Sequence, residues 1–148
     1  MSSPQPPYTL LLVDDNLDLL VSIRFALEKL GGFRVETAAD GVEGLQRTID
    51  LHPACIIIDV KMPGLDGYQL VRALRGDPET MDIPLVMLTA MAQDRDRYQG
   101  LASGADQYIT KPIDPVALVA TIRRALELTE AERVRQMKKL SDDPNIPE

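Results

Sequence analysis

The sequence predicts an α/β protein whose parallel sheet lies between two layers of helices. Three observations carry that prediction. Short apolar runs alternate five times with longer amphipathic stretches. Three of the runs are nearly continuous in apolar residues, as strands covered on both faces are. The polar residues that close the runs sit at their C-terminal ends.

The first run, Thr9–Val13, leads into Asp14-Asp15. Leu17–Leu30 follows as a helix, with Leu17, Leu20, Val21, Phe25, Leu27 and Leu30 as its apolar residues, and Gly31-Gly32 stops it. Phe33–Ala38 alternates, with Phe33 and Val35 apolar and Arg34 and Glu36 polar, which suits an edge strand. Asp40 and Glu43 make a capping-box-like start for a second helix that ends near His52-Pro53. His52 is the only histidine; alone it builds no metal site, and it reads as a helix C-terminal residue.

Ala54–Ile58 is the third strand and runs into Asp59. Asp66–Arg75 is a third helix, stopped around Gly76 and Pro78. Leu85–Leu88 is the fourth strand and leads to Thr89; Asp94–Ser103 is a fourth helix, with Gly104 just past its end. Gln107–Thr110 is the fifth strand and leads to Lys111-Pro112. Asp114 as N-cap and Pro115 in the first turn open a fifth helix, Pro115–Leu128. Crossovers between parallel strands are right-handed, and ligands of such sheets lie outside the carboxyl ends of the strands.

A chain of 148 residues suits one domain with a sizeable core. Its net charge of -7 argues against a general nucleic-acid or anionic-membrane surface. The single cysteine, Cys55, excludes an internal disulfide, and its apolar neighbours mark it as a buried filler. No apolar run reaches membrane-spanning length, and the start, MSSPQPPY, is no signal peptide, so a cytoplasmic location is expected. Prolines at 4, 6, 7, 144 and 147 mark disordered tails over 1–7 and 141–148. The main domain is expected over 8–128. Residues 129–140 then extend the fifth helix, with Ala131, Val134, Met137 and Leu140 recurring every third residue, too short a stripe for a coiled coil.

The strand ends bring Asp14, Asp15, Asp59, Thr89 and Lys111 to one crevice. Three crowded carboxylates raise one another's pKa, and a divalent hard cation such as Mg²⁺ relieves this. A lysine and a threonine hydroxyl suit a phosphate, and one carboxylate is left to act as a nucleophile.

In this arrangement the chain resembles the receiver domain of two-component response regulators. The resemblance covers about residues 8 to 128. It rests on Asp14-Asp15, Asp59 within DVKMPGLDG, Thr89-Ala90, Tyr108 and Lys111-Pro112, all in the family's order. It implies a doubly wound, flavodoxin-like (βα)5 sandwich with strand order 2-1-3-4-5. It also implies Asp59 as phosphoacceptor and Mg²⁺ held by Asp14, Asp15, Asp59 and the backbone carbonyl of Lys61. Thr89, Ala90 and Lys111 would meet the phosphoryl group, Ala90 by leaving it room. The Lys111–Pro112 bond is expected to be cis. Thr89 and Tyr108 would form the switch, changing the face of the fourth helix, fifth strand and fifth helix, where a homodimer contact is also considered. Lys61 and Met91 stand at positions that tune access of water to the phosphoryl group, and both are expected to slow its loss.

The implied partners are a sensor histidine kinase or histidine phosphotransfer protein and a downstream protein target, with no direct nucleic-acid or membrane contact. The implied chemistry is slow and self-catalysed, so the chain is not expected to be an enzyme. Nothing after Leu128 is long enough for an output domain, which favours a stand-alone switch. A receiver fragment of a larger regulator or hybrid kinase is the alternative. An Asp-nucleophile phosphohydrolase would place its nucleophile in a DxD pattern after the first strand, but Leu17 stands two residues past Asp15. No Ser/Thr/Gly-rich loop follows that strand either, which counts against a flavodoxin-like cofactor binder.

Overall fold

The computed structural model describes residues 7–90 and 104–127. Five parallel strands form one sheet in the order β2-β1-β3-β4-β5. They are β1 (Thr9–Val13), β2 (Arg34–Ala38), β3 (Cys55–Asp59), β4 (Leu85–Thr89) and β5 (Gln107–Thr110). Between them lie α1 (Leu17–Gly31), α2 (Gly41–Leu51) and α3 (Gly67–Arg75). The fifth predicted helix is observed over residues 115–127 and is the fourth among the described residues, α4. The predicted fourth helix, Met91, the 129–140 extension and residues 1–6 and 141–148 of the expected tails lie outside the described residues.

Successive strand residues point to opposite faces, so each strand feeds two cores. Leu10, Leu12, Ile57 and Leu88 face α1 and α4, where Leu20, Ile23, Leu27, Leu118 and Ile122 meet them. Leu11, Val13, Ile58 and Met87 face the other way, onto Leu70, Val71 and Leu74 of α3. Each fully buried side chain of this size contributes about 1.5–3 kcal/mol. Leu10–Val13, Cys55–Ile58 and Leu85–Leu88 are continuously apolar for this reason: neither face of these strands meets water.

Local signals set the helix starts and stops. Asn16 caps α1 through its side chain, and Gly32 closes that helix in the left-handed region at φ 68°. Asp40 accepts from the Glu43 amide at the start of α2. The reciprocal bond differs from the expected capping box, because the Glu43 carboxylate takes the Ala39 amide. A complete capping box does form on α3, between Asp66 and Gln69. His52 ends α2 at φ 47°, as a helix C-terminal residue.

Several boundaries differ from the sequence reading. Asp59 pairs with Leu88 and is the last residue of β3, and Thr89 likewise belongs to β4, pairing with Thr110. Parallel pairing extends to the polar residue because each strand end still has a bonded neighbour. Phe33 lies just before β2, buried beneath α1. The apolar residues of α1 also divide unexpectedly. Leu20, Ile23 and Leu27 are buried, whereas Leu17, Val21, Phe25 and Leu30 are 52–70% exposed.

Arg75 ties the far end of the fold together. Its guanidinium donates to the carbonyls of Met81, Ile83 and Gly104 and to the carboxylate of Asp106. Asp106 in turn accepts from the Leu85 amide, so the starts of β4 and β5 share one anchor.

The two faces of α1 make a direct prediction. Leu27→Ala should cost about 2–5 kcal/mol in urea unfolding, whereas Phe25→Ala should stay within about 0.5 kcal/mol. Equal losses would mean that the outer face of α1 is covered.

Candidate phosphoacceptor site

The carboxyl ends of β1, β3, β4 and β5 meet along one edge of the sheet. Asp14 follows β1, its amide donating to Ala38 at 3.1 Å, which carries the ladder one step past the strand. Asp59 ends β3, and the next amide, Val60, donates to Leu88 at 2.9 Å. Lys111 follows β5, its amide donating to Thr89 at 2.7 Å. Backbone pairing therefore fixes each functional residue before its side chain makes any contact.

One carboxylate oxygen from each of Asp14, Asp15 and Asp59 lies within 4.8 Å of the others. Asp14 and Asp59 are buried and Asp15 is exposed. The ammonium of Lys111 lies 3.0 Å from Oδ1 of Asp59 and 3.9 Å from Oδ2 of Asp14. Oδ1 of Asp14 accepts from the Asn16 amide at 2.9 Å. Its buried Oδ2 accepts no hydrogen bond.

Burial pushes the Asp14 carboxyl above its ordinary range; the Asn16 amide opposes this and the charge of Asp59 adds to it. Burial likewise raises Asp59, against the hydrogen bond and charge of Lys111, and the charge of Asp15 raises it further. One ammonium thus does not compensate the three acids. An orphaned buried oxygen, an all-oxygen donor set and raised carboxyls together fit a hard divalent cation.

Thr89 is fully buried at the end of β4, and the neighbouring Ala90 is exposed. Tyr108 is half-buried and packs against the core cluster on the α3 side of the sheet. Lys61 is exposed on the turn after β3. The Lys111–Pro112 peptide bond is cis. Asp14, Asp15, Asp59 and Lys111 form the contacts above. Thr89 and Ala90 stand on the adjoining strand end.

A family model described as the response regulator receiver domain matches residues 10–123. The chain belongs to this family. The receiver domain of the sensor histidine kinase PA1611 from Pseudomonas aeruginosa PAO1, with a magnesium ion coordinated in its active-site cleft, is 31% identical. Its TM-score is 0.74, covering 81% of this chain and 98% of that one. Chemotaxis protein CheY4 of Vibrio cholerae is similar at 33% identity and a TM-score of 0.74, over 80% of this chain and 98% of that one. The DNA-binding dual master transcriptional regulator RpaA of Synechocystis sp. is 38% identical over 135 residues, 90% of this chain and 54% of that protein. The chain spans about half the length of the curated relatives it first matches. It is a receiver domain of two-component signalling, with an acidic cluster where receivers are phosphorylated. Among the described residues no helix is long and apolar enough to cross a membrane.

The sequence reading passed over Asn16, which caps α1 and holds one Asp14 oxygen. It also passed over the glycines at the first positions of α2 and α3. The available signal was the repeated pair Asp40-Gly41 and Asp66-Gly67, an N-cap followed by a residue unfavourable in helices.

The electrostatics predict a stability change of defined sign. A carboxyl raised in the folded state binds its proton more tightly there than in the unfolded chain. The metal-free protein should therefore lose stability as the pH rises from the ordinary value of 3.8 through the raised range. Asp14→Asn keeps an acceptor for Asn16 and removes one buried charge. In EDTA at neutral pH it should raise Tm by a few degrees, on the order of 1 kcal/mol, and flatten the pH dependence. Mg²⁺ should raise Tm of the wild type more than that of the variant. A lower Tm for Asp14→Asn in EDTA would contradict this account.

Proposed function

We propose that this receiver accepts a phosphoryl group on Asp59 from a phosphohistidine of a sensor kinase or histidine phosphotransfer protein. The observation that carries the reading is the Lys111 ammonium 3.0 Å from Asp59, inside a cluster of three carboxylates. An Asp59 oxygen forms the new O–P bond as the N–P bond of phosphohistidine breaks, and the imidazole nitrogen keeps the electron pair. Charge spreads over the phosphoryl oxygens in that transfer, so positioning and electrostatics supply most of the catalysis.

Mg²⁺ is the cation that fits: Asp14, Asp15, Asp59 and the Lys61 carbonyl would hold it, and it would supply positive charge to neutralise the acids and favour approach of a phosphoryl group. Lys111 shifts its charge from Asp59 to a phosphoryl oxygen. Thr89 donates its hydroxyl to another, and exposed Ala90 leaves room beside it. Thr89 and Tyr108 then carry the change to the face that includes β5 and α4, where a downstream protein binds and a homodimer contact is available. Turnover is the slow self-catalysed loss of the phosphoryl group, so the chain acts as a switch and not as an enzyme. Its partners are cytoplasmic proteins, a reading supported by the free, buried state of its single cysteine.

One observation favours a second reading, that this receiver works as part of a longer regulator: it spans 54% of RpaA. RpaA is described as DNA-binding; the net charge of -7 here supports protein contacts for this segment.

Incubation with acetyl phosphate and Mg²⁺ should add one phosphoryl group by intact mass, and Asp59→Asn should abolish it. Lys111→Ala should slow uptake by about 100-fold or more, through loss of a charge-assisted contact to the transferred group. Rapid multiple turnover of small phosphate esters would instead indicate a hydrolase. Lys61 stands two residues past the acceptor, exposed, where it hinders water. Lys61→Asn should shorten the phosphoryl lifetime, measured by mass after removal of the donor; an unchanged or longer lifetime would rule out that role.

A further inference from the structure

The turn that follows the phosphoacceptor is held on two sides by glycines that no side chain can replace. Gly67 is the first residue of α3 and is buried. Its amide donates to the Val60 carbonyl at 2.9 Å. A Cβ at this position would strike the carbonyl oxygen of Asp59, and would lie 2.8 Å from Val60 Cα and 3.1 Å from the Asp59 carbonyl carbon. Gly41, the first residue of α2, stands against the other end of the same turn. A Cβ there would strike the carbonyl oxygen of Leu65 and lie 2.8 Å from Leu65 Cβ.

The obstruction at Gly67 is wholly backbone, which cannot step aside as a flexible side chain does; at Gly41 it is the Leu65 carbonyl oxygen together with the Leu65 side chain. Carbon atoms in good contact stand 3.5–4.0 Å apart, so a methyl group at 67 would require the Asp59-Val60 peptide or the start of α3 to move by roughly 1 Å. Helix propensity gives no reason for glycine at the first position of two helices. The close approach does.

We infer that Gly67 is a positioning residue for the Asp59 carboxylate, with Gly41 fixing the far end of the 60–66 turn. This rests on the reading of Asp59 as phosphoacceptor. Gly67 lets α3 sit directly on the Asp59-Val60 peptide, which sets where the Asp59 side chain leaves the sheet. Gly41 seats Leu65 and so holds the turn that carries Lys61. The pair acts through backbone position and touches neither the phosphoryl group nor the cation.

The test compares Gly67→Ala and Gly41→Ala with two controls, one within α3 and one at its C-cap, using the full chain. Gly76→Ala meets nothing nearer than 3.4 Å. Leu74→Ala empties a fully buried site seven residues, about 10 Å, along α3 from Gly67, and lowers stability without altering the glycine contact. Three quantities are read: Tm in EDTA, Mg²⁺ affinity by calorimetry, and the rate of phosphorylation by acetyl phosphate at saturating Mg²⁺.

Gly67→Ala should lose about 100-fold in rate and bind Mg²⁺ about tenfold more weakly, as a 1 Å misplacement does. Leu74→Ala, with a comparable or larger fall in Tm, should stay within about twofold of wild type in both. Gly41→Ala, one step removed, should lose about tenfold in rate, and Gly76→Ala nothing. A folded Gly67→Ala with wild-type rate and Mg²⁺ affinity overturns the inference. So does a loss in Leu74→Ala that matches that of Gly67→Ala, because fold stability alone then explains it. If Gly67→Ala does not fold, Gly41→Ala decides, and an unchanged rate there overturns the inference. A wild-type chain that takes up no phosphoryl group overturns the Asp59 reading and this inference with it. A labelled wild type beside an equally labelled Gly67→Ala overturns this inference alone.

Discussion

Three carboxylates and one ammonium share the carboxyl edge of the sheet, and their electrostatics are left unresolved by the protein alone. Asp14 and Asp59 are buried and raised in pKa, Oδ2 of Asp14 accepts no hydrogen bond, and Lys111 reaches Asp59 far more closely than Asp14. A fold optimised only for stability would replace at least one of these acids, since an unpaired buried charge is among the costliest features a core can carry. Together they make the edge a place where a hard cation could be held.

The rest of the molecule supplies rigidity for that edge. Two apolar layers, one facing α1 and α4 and the other facing α3, clamp the central strands on both sides. The parallel ladder then continues one residue past β1 and β3, through the amides of Asp14 and Val60. Acidic side chains therefore emerge from backbone that is still paired in the sheet ladder. At the opposite edge Arg75 and Asp106 fix the starts of β4 and β5 together. The strands that carry Thr89 and Lys111 are thus pinned at one end and carry their functional residues at the other.

Much of this was legible in the sequence, because it depends on period and order. Near-continuous apolar runs identified the covered strands, capping residues identified the helix starts, and the motifs placed Asp14, Asp15, Asp59, Thr89 and Lys111 on one edge. The sequence was weaker where the outcome depends on neighbours far along the chain. The apolar residues of α1 read as one set, yet Leu20 and Leu27 are buried while Val21 and Phe25 face outward. Helical period alone does not say which stripe a sheet will cover.

The sequence by itself determined the fold class, the strand ends at which chemistry gathers, and the types of group brought there. Only the tertiary structure decided that Lys111 pairs with Asp59 more closely than with Asp14, and that one Asp14 oxygen is left unsatisfied. It alone brought Gly67 against the Asp59-Val60 peptide and Gly41 against Leu65. The physical reason is common to all three: local periodicity and capping are written in neighbouring residues, whereas a contact of a few ångströms across the sheet edge is set by how separately folded elements pack.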